Sequence, residues 1–321
     1  MRNLLRAIGP RPGTRTLHGW LDAEQRKLSP MWDLRKAGGH VRECHGDLHL
    51  ANIVRLDSGV AAFDAIEFDP ALRWIDVLDD AAFPVMDLAA HGRWDLAFRL
   101  LNRWLDGTGD HEALPLLRHA VVQRALVRAL AALMRHPHRA GAARTYLDDA
   151  REWTQPAPKQ LTIMHGLPGS GKTFVSQQLL ERQRAIRLRS DVERKRLFDI
   201  PAQASSRACG VDIYTPSASE HTYARLLERA RIALAAGFPV ILDAAFLQRR
   251  QREQARALAR SLEVPFSIVS CEAPPDVLRS RLRARAGDVS EADAAVLATL
   301  QARGESLDAS EASCCRQVIA A

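Results

Sequence analysis

At 321 residues, 47% hydrophobic and 26% charged, the chain has an ordinary globular composition and a length suited to about two domains. It shows no apolar run long enough to span a bilayer, no secretory-type apolar core at its N-terminus and no C-x-x-C pair among its five cysteines, so a reduced, cytoplasmic protein without a membrane partner is expected. The net charge of +7 comes from 45 basic residues of which only Lys27, Lys36, Lys159, Lys172 and Lys195 are lysine; spread among acids in both halves, it reads more as arginine bias than as a nucleic-acid stripe.

The first predicted element is a helix over "GWLDAEQRKLSPMWDLRKAG". It leads into "ECHGDLHLANIV", where His45, Asp47 and Asn52 have the H-x-D-x-x-x-x-N spacing that phosphotransferases use for a base and a metal ligand. Twelve residues on, Asp64 ends the apolar run of "VAAFDAIEFDP", where a second metal ligand would stand. A zinc reading of Cys44, His45, Asp47 and His49 has no recurring ligand geometry behind it. Beyond residue 75 the pattern is helical: "RWDLAFRLLNRWL", then "VVQRALVRALAALMRH" with Val122, Leu126, Leu130 and Leu133 on one face.

Two prolines in "REWTQPAPKQ" mark an interdomain connection, which divides the chain into 1–152, a linker 153–159, and 160–321. After it, strand-like "LTIMH", "AIRLR", "PVIL" and "FSIVS" alternate with helical stretches, the pattern of a parallel sheet covered on both faces. The fold class expected is α/β: a C-terminal three-layer α/β/α parallel sheet preceded by a mainly helical part.

Between the first strand and helix of that half lies "GLPGSGKT", Gly166, Leu167, Pro168, Gly169, Ser170, Gly171, Lys172 and Thr173. This is G-x-x-x-x-G-K-[ST] in the strand–loop–helix context its mechanism requires. Backbone N–H groups would wrap the phosphates of ATP, Lys172 would reach the β- and γ-phosphates, and the Thr173 hydroxyl would bind Mg²⁺. Ligands in open parallel sheets sit beyond the carboxyl ends of the strands. Asp191 in "SDVER" and Asp243 in "VILDAAF" both stand at such ends. Either can accept a hydroxyl proton or hold the metal shell, and either can equally cap a helix N-terminus; Asp243 looks more like the acid of a Walker B element. In "DVLRSRLRAR", Arg281 and Arg285 share one face, as in a lid that neutralises transferring phosphate, or as on a solvated helix.

With these motifs in view, residues 160 to about 303 resemble the P-loop kinase group that includes polynucleotide kinase, zeta toxin and chloramphenicol phosphotransferase domains. The resemblance implies that Asp191 is the base activating an acceptor hydroxyl and that Arg194, completing D-x-x-R, contacts the acceptor's phosphate or polar groups. Residues 17 to about 150 resemble the C-terminal lobe of aminoglycoside phosphotransferases and choline-kinase-like enzymes. That implies a base at Asp47 and metal ligands at Asn52 and Asp64. Residues 1–44 hold no G-x-G-x-x-G loop and no strand lysine, so this kinase-like site is expected to be vestigial and silent, in a chain shortened from a longer protein. The arrangement resembles bacterial proteins pairing an aminoglycoside phosphotransferase-like part with an AAA-type ATP-binding part.

The expected activity is therefore transfer of the γ-phosphate of ATP, with Mg²⁺, to an unidentified hydroxyl acceptor, a small molecule or a nucleic-acid end. The competing readings are an ATP-dependent switch or scaffold with slow ATPase, and an aminoglycoside-type phosphotransferase acting at Asp47.

Overall fold

The structure, a computed structural model, describes residues 7–11, 13–135, 140–206, 209–284, 290 and 294–319. The chain divides into two compact units, Met1–Leu101 with Glu112–Pro156, and Asn102–His111 with Ala157–Ala321.

In the first unit, helix α1 (Thr14–Ala37) buries Leu17, Leu21 and Leu28, apolar residues at helical spacing. Strand β1 (Val41–Glu43) pairs antiparallel with β4 (Trp74–Asp76), and β2 (Ile53–Leu56) forms a hairpin with β3 (Gly59–Ala62). Helix α2 (Val77–Ala90) follows β4 directly and is capped by Asp76, whose Oδ1 accepts from Leu78 N at 2.9 Å. Arg35 forks onto the same carboxylate with two bonds of 2.8 Å, so the buried acid is fully compensated. Helix α3 (Trp94–Thr108) leads to α4 (Leu114–Arg135), which packs along α5 (Ala140–Thr154). The expected stripe on α4 is only half the story. Val122 and Leu126 are buried and Leu130 and Leu133 half-buried, while Leu116, Val121, Ala125 and Ala129 are buried as well. Helices α1, α2 and α5 all pack on α4, so most of its circumference is core.

The second unit is built on five parallel strands in the order β6 (Ile186–Arg189), β7 (Val240–Asp243), β5 (Leu161–His165), β8 (Phe266–Glu272) and β9 (Cys315–Ile319). The central strands are apolar runs buried on both sides, as parallel strands under helices must be. Helix α6 (Lys172–Gln183) packs on β5, β6 and β7, while α8 (Pro216–Ala235) packs on β6 and β7 and against α9 (Arg249–Ser261), which covers β5 and β8. Helix α7 (Ser190–Arg196) leaves β6, and α10 (Pro275–Ala284), α11 (Ala294–Arg303) and α12 (Ala309–Ala312) separate β8 from β9. The mixed α/β class with a parallel sheet and a helical N-terminal part is as expected; the fifth strand, "CRQVI", is an addition, polar enough to hide at the sheet edge.

The opposite edge is closed by a side chain. Asn102 Nδ2 donates to Ala185 O at 2.9 Å, and Arg187 N donates to Asn102 Oδ1 at 2.6 Å, so one carboxamide serves β6 as a neighbouring strand would. Asn102 is 2% exposed. Asn102→Ala would leave a buried amide and carbonyl unpaired, each costing about 1–3 kcal/mol. Urea unfolding is expected to show a loss of at least about 2 kcal/mol on that basis; a midpoint unchanged from the parent would contradict the edge role.

Candidate functional site

The loop between β5 and α6 is shaped by glycines that no other residue can replace. Gly166 has φ 135°, and a Cβ there would stand 2.3 Å from Cys271 O. Gly171, at φ 91°, occupies the cap position of α6. Ser170 N bonds Leu167 O at 3.1 Å, which curls the loop, and Gly166 N bonds Ala245 O at 3.1 Å, which seats it beyond β7. Lys172 lies over the loop, its Nζ donating to Gly166 O at 2.9 Å and Leu167 O at 2.8 Å. Thr173 is exposed one residue further on.

This loop forms part of one cavity of about 1210 Å³, whose lining includes Lys172, Thr173, Asp191, Arg194, Asp243 and Arg281. The volume exceeds the roughly 300–1,000 Å³ of a typical small-molecule pocket and leaves room for two ligands side by side.

Neither acid caps a helix. The cap position of α7 is Arg189, and Asp191 is the second residue of the helix, half-buried with its side chain on the cavity. The cap of α9 is Gln248, five residues beyond Asp243. Asp243 ends β7, is 6% exposed, and has Ser176 Oγ 3.1 Å from its Oδ2. The register pairs Asp243 with Arg189, whose Nε is 4.0 Å from the same oxygen. Arg187, two residues earlier and so on the same face, donates to Thr173 O at 3.4 Å and Ser176 Oγ at 3.3 Å. Asp106, from the 102–111 segment, completes the group. Burial holds its carboxyl above the ordinary range against the pull of Arg189, Arg187 and Arg196. Arg187, Arg189, Ser176 and Asp106 were not foreseen from sequence. The alternation in "IRLR" puts both arginines on one face, a signal present in the motif-poor strand itself.

Arg281 reaches the loop, with Nη1 3.3 Å from Gly169 O; Arg285 lies outside the described residues. Arg194 is 7% exposed and turned onto its own fold: Nη1 donates to Ile213 O and Ser219 Oγ, both at 3.1 Å, and the guanidinium lies 5.1 Å over the Tyr214 ring. Among the described residues no group of three or more His, Cys, Asp and Glu is disposed to hold a metal. Mg²⁺ needs no such cage, since it keeps waters and is held by one or two carboxylates together with substrate phosphates. An exposed Thr173 hydroxyl and the Asp243 carboxylate on one cavity fit that requirement.

The earlier motif lies in the first unit. Asp80 accepts from His45 N at 3.2 Å and Gly46 N at 2.9 Å, and Asp87 from Leu50 N at 2.9 Å, so two carboxylates of α2 hold the loop by its backbone. Asn52 Nδ2 bonds Asp47 O at 3.0 Å, and His49 Nε2 lies 3.4 Å from Asp47 Oδ2. The His49 bond first, against burial, holds the Asp47 carboxyl below the ordinary range. Asp64 is exposed with φ 62°.

The strand–glycine loop–helix architecture and the residues on its rim define the second unit as a P-loop α/β domain. In agreement, residues 161–307 match the family described as AAA domain. Uncharacterized proteins of Mycobacterium tuberculosis (strain H37Rv) and Mycobacterium bovis are each 32% identical over 279 residues, covering 83% of this chain and 54% of theirs. The chain thus spans about half the length of the curated relatives it matches. Similar solved structures include a sugar kinase from Janibacter sp. HTCC2649 (19% identity over 50% of this chain and 85% of that one, TM-score 0.38). Two others are a gluconokinase from Sinorhizobium meliloti 1021 (21%, 52% and 86%, 0.37) and the Mycobacterium tuberculosis APS kinase CysC (21%, 39% and 69%, 0.31).

Proposed function

We propose that the second unit binds ATP with Mg²⁺ at Gly166–Thr173 and transfers the γ-phosphoryl group to a hydroxyl acceptor held against Asp191. The observation that carries this reading is the single cavity onto which Lys172, Thr173, Asp191, Asp243 and Arg281 all open. Loop amides and the α6 N-terminus receive the phosphates, in a cradle where a Gly166 Cβ would find no room. Lys172 exchanges its two loop carbonyls for phosphate oxygens. Thr173 and Asp243 would hold the Mg²⁺, which when bound would neutralise charge developing on the phosphates. Ser176 and Arg189 fix the Asp243 carboxylate.

Asp191 accepts the acceptor's proton as the new O–P bond forms and the bond to the β,γ-bridging oxygen breaks, leaving ADP. Arg281, anchored on the loop, adds positive charge at the transferring group. The first unit is read as a kinase-like lobe without a part in this transfer, since the phosphate loop, Asp191 and Asp243 all belong to the second unit.

The reading is tested with Lys172→Ala. A charge-assisted bond to phosphate contributes about 1.5–3 kcal/mol, so ATP affinity measured by calorimetry is expected to fall about tenfold or more. ATP binding undiminished in Lys172→Ala, or lost instead in Asp47→Ala, would place the nucleotide elsewhere.

A further inference from the structure

Three buried side chains from three different elements meet beside Thr173: Ser176 of α6, Arg187 of β6 and Asp243 of β7. The Oγ of Ser176, a residue 0% exposed, lies 3.1 Å from Thr173 O and 3.1 Å from Asp243 Oδ2. A hydroxyl carries one proton, so it donates to one of these two acceptors. A serine inside a helix ordinarily bonds the carbonyl of the preceding turn. In that arrangement the Asp243 carboxylate would lose its hydroxyl donor.

Arg187 decides the direction. Its Nη1 carries two N–H groups, and it donates to Thr173 O at 3.4 Å and to Ser176 Oγ at 3.3 Å. A carbonyl oxygen has two lone pairs, and in a helix one of them serves the amide four residues on. The guanidinium takes the other, and its second bond makes Ser176 Oγ an acceptor. The hydroxyl proton is left for Asp243 Oδ2. The bonds therefore run one way, from Arg187 through Ser176 to Asp243. Arg189, paired with Asp243 in the strand register, has its Nε 4.0 Å from the same oxygen. A carboxylate released by Ser176 would be free to close on Arg189, and that ion pair would compete with a metal for its charge.

We infer, on the basis of the phosphotransfer reading above, that Arg187 is a positioning residue of the metal site: acting through Ser176, it holds Asp243 by Oδ2 and leaves Oδ1 for Mg²⁺. The same guanidinium fixes the carbonyl of Thr173, the other residue proposed for the metal, so one buried cation sets both. Neither Arg187 nor Ser176 lines the cavity, so neither acts by touching nucleotide or acceptor. Groups one step removed from a metal ligand are typically worth about 10–100-fold in metal affinity.

The experiment is calorimetric titration of the full chain with ATP, in EDTA and at a series of Mg²⁺ concentrations. In Ser176→Ala, a substitution any helix accepts, the Mg²⁺ concentration giving half of the gain in ATP affinity is expected to rise about 10–100-fold. Affinity in EDTA is expected to stay within about twofold of the parent, because the phosphate loop is untouched. Arg187→Met, which keeps the apolar stem, is expected to show the same shift, and Arg187→Lys to recover part of it. The double variant Ser176→Ala, Arg187→Met is expected to move no more than about twofold beyond either single one, since the arginine acts through the serine. An unchanged Mg²⁺ dependence in Ser176→Ala, or shifts that multiply in the double variant, overturn the inference and leave the phosphotransfer reading standing. Equal losses of affinity with and without Mg²⁺ mark a general structural role and overturn it too. ATP binding that is indifferent to Lys172→Ala overturns the phosphotransfer reading itself, and this inference with it.

Discussion

Asp191→Asn is expected to cut phosphoryl transfer about 10²–10⁴-fold, the usual worth of a positioned general base, while leaving ATP affinity nearly unchanged. The two carboxylates on the cavity stand in different surroundings, and that is what separates their roles. Asp243 is buried against Ser176 and Arg189 at the end of β7, suited to a fixed ligand shell. Asp191 is half-buried in the first turn of α7, where the cavity gives a substrate access to it. Asparagine matches its shape and removes only the capacity to take a proton. The loss should therefore fall on kcat in single-turnover assays, with calorimetric ATP binding retained. Full transfer by Asp191→Asn excludes it as the base. Slow ATP hydrolysis that is indifferent both to acceptor and to Asp191 would favour the switch-like reading.

How legible these roles are in the sequence depends on how local their signals are. The phosphate loop is written within eight residues, because the glycine conformations, the lysine and the hydroxyl must be contiguous to wrap one phosphate chain. Asp191 and Asp243 are legible one step less directly, through the rule that strand ends form the ligand rim, and their alternative use as helix caps is settled only by where α7 and α9 begin. Asn102 carries no such signal. In "RWDLAFRLLNRWL" it reads as one polar residue of an amphipathic helix, and its partners Ala185 and Arg187 lie more than eighty residues away. Strand β9 was missed because only its place beside β8 makes "CRQVI" a strand. The arginine count also misleads in part: Arg35, Arg187, Arg194 and Arg252 are buried and bonded, so a fraction of what looks like surface charge in the sequence is internal structure.

Arg252 gives the largest stability effect expected anywhere in the second unit. The side chain is 1% exposed and is the largest fully buried one among the described residues. It forks onto Glu311 at 2.7 and 3.0 Å and donates to the carbonyls of Phe246, Leu247, Glu305 and Ser306 at 3.0–3.2 Å. Glu311 in turn closes a capping box with Asp308 at the start of α12. One guanidinium thus fixes the turn after β7, where Leu247 lines the cavity, to the segment that leads into β9. Removing either partner leaves a buried charge unpaired, so Arg252→Met and Glu311→Leu are each expected to cost about 3–5 kcal/mol in urea unfolding. The double variant should recover most of that loss, because a well-packed apolar pair can replace a buried ion pair at little net cost. Additive losses would mean that the four carbonyl bonds, rather than the ion pair, hold the segment. The pH dependence has a definite sign. Burial pushes the Glu311 carboxyl up, but its bonds from Arg252 and from Asp308 N more than offset this and hold it below its ordinary value of 4.5. Its contribution is therefore present above about pH 4.5 and lost as pH falls through the lower folded value, a loss that Glu311→Leu should abolish.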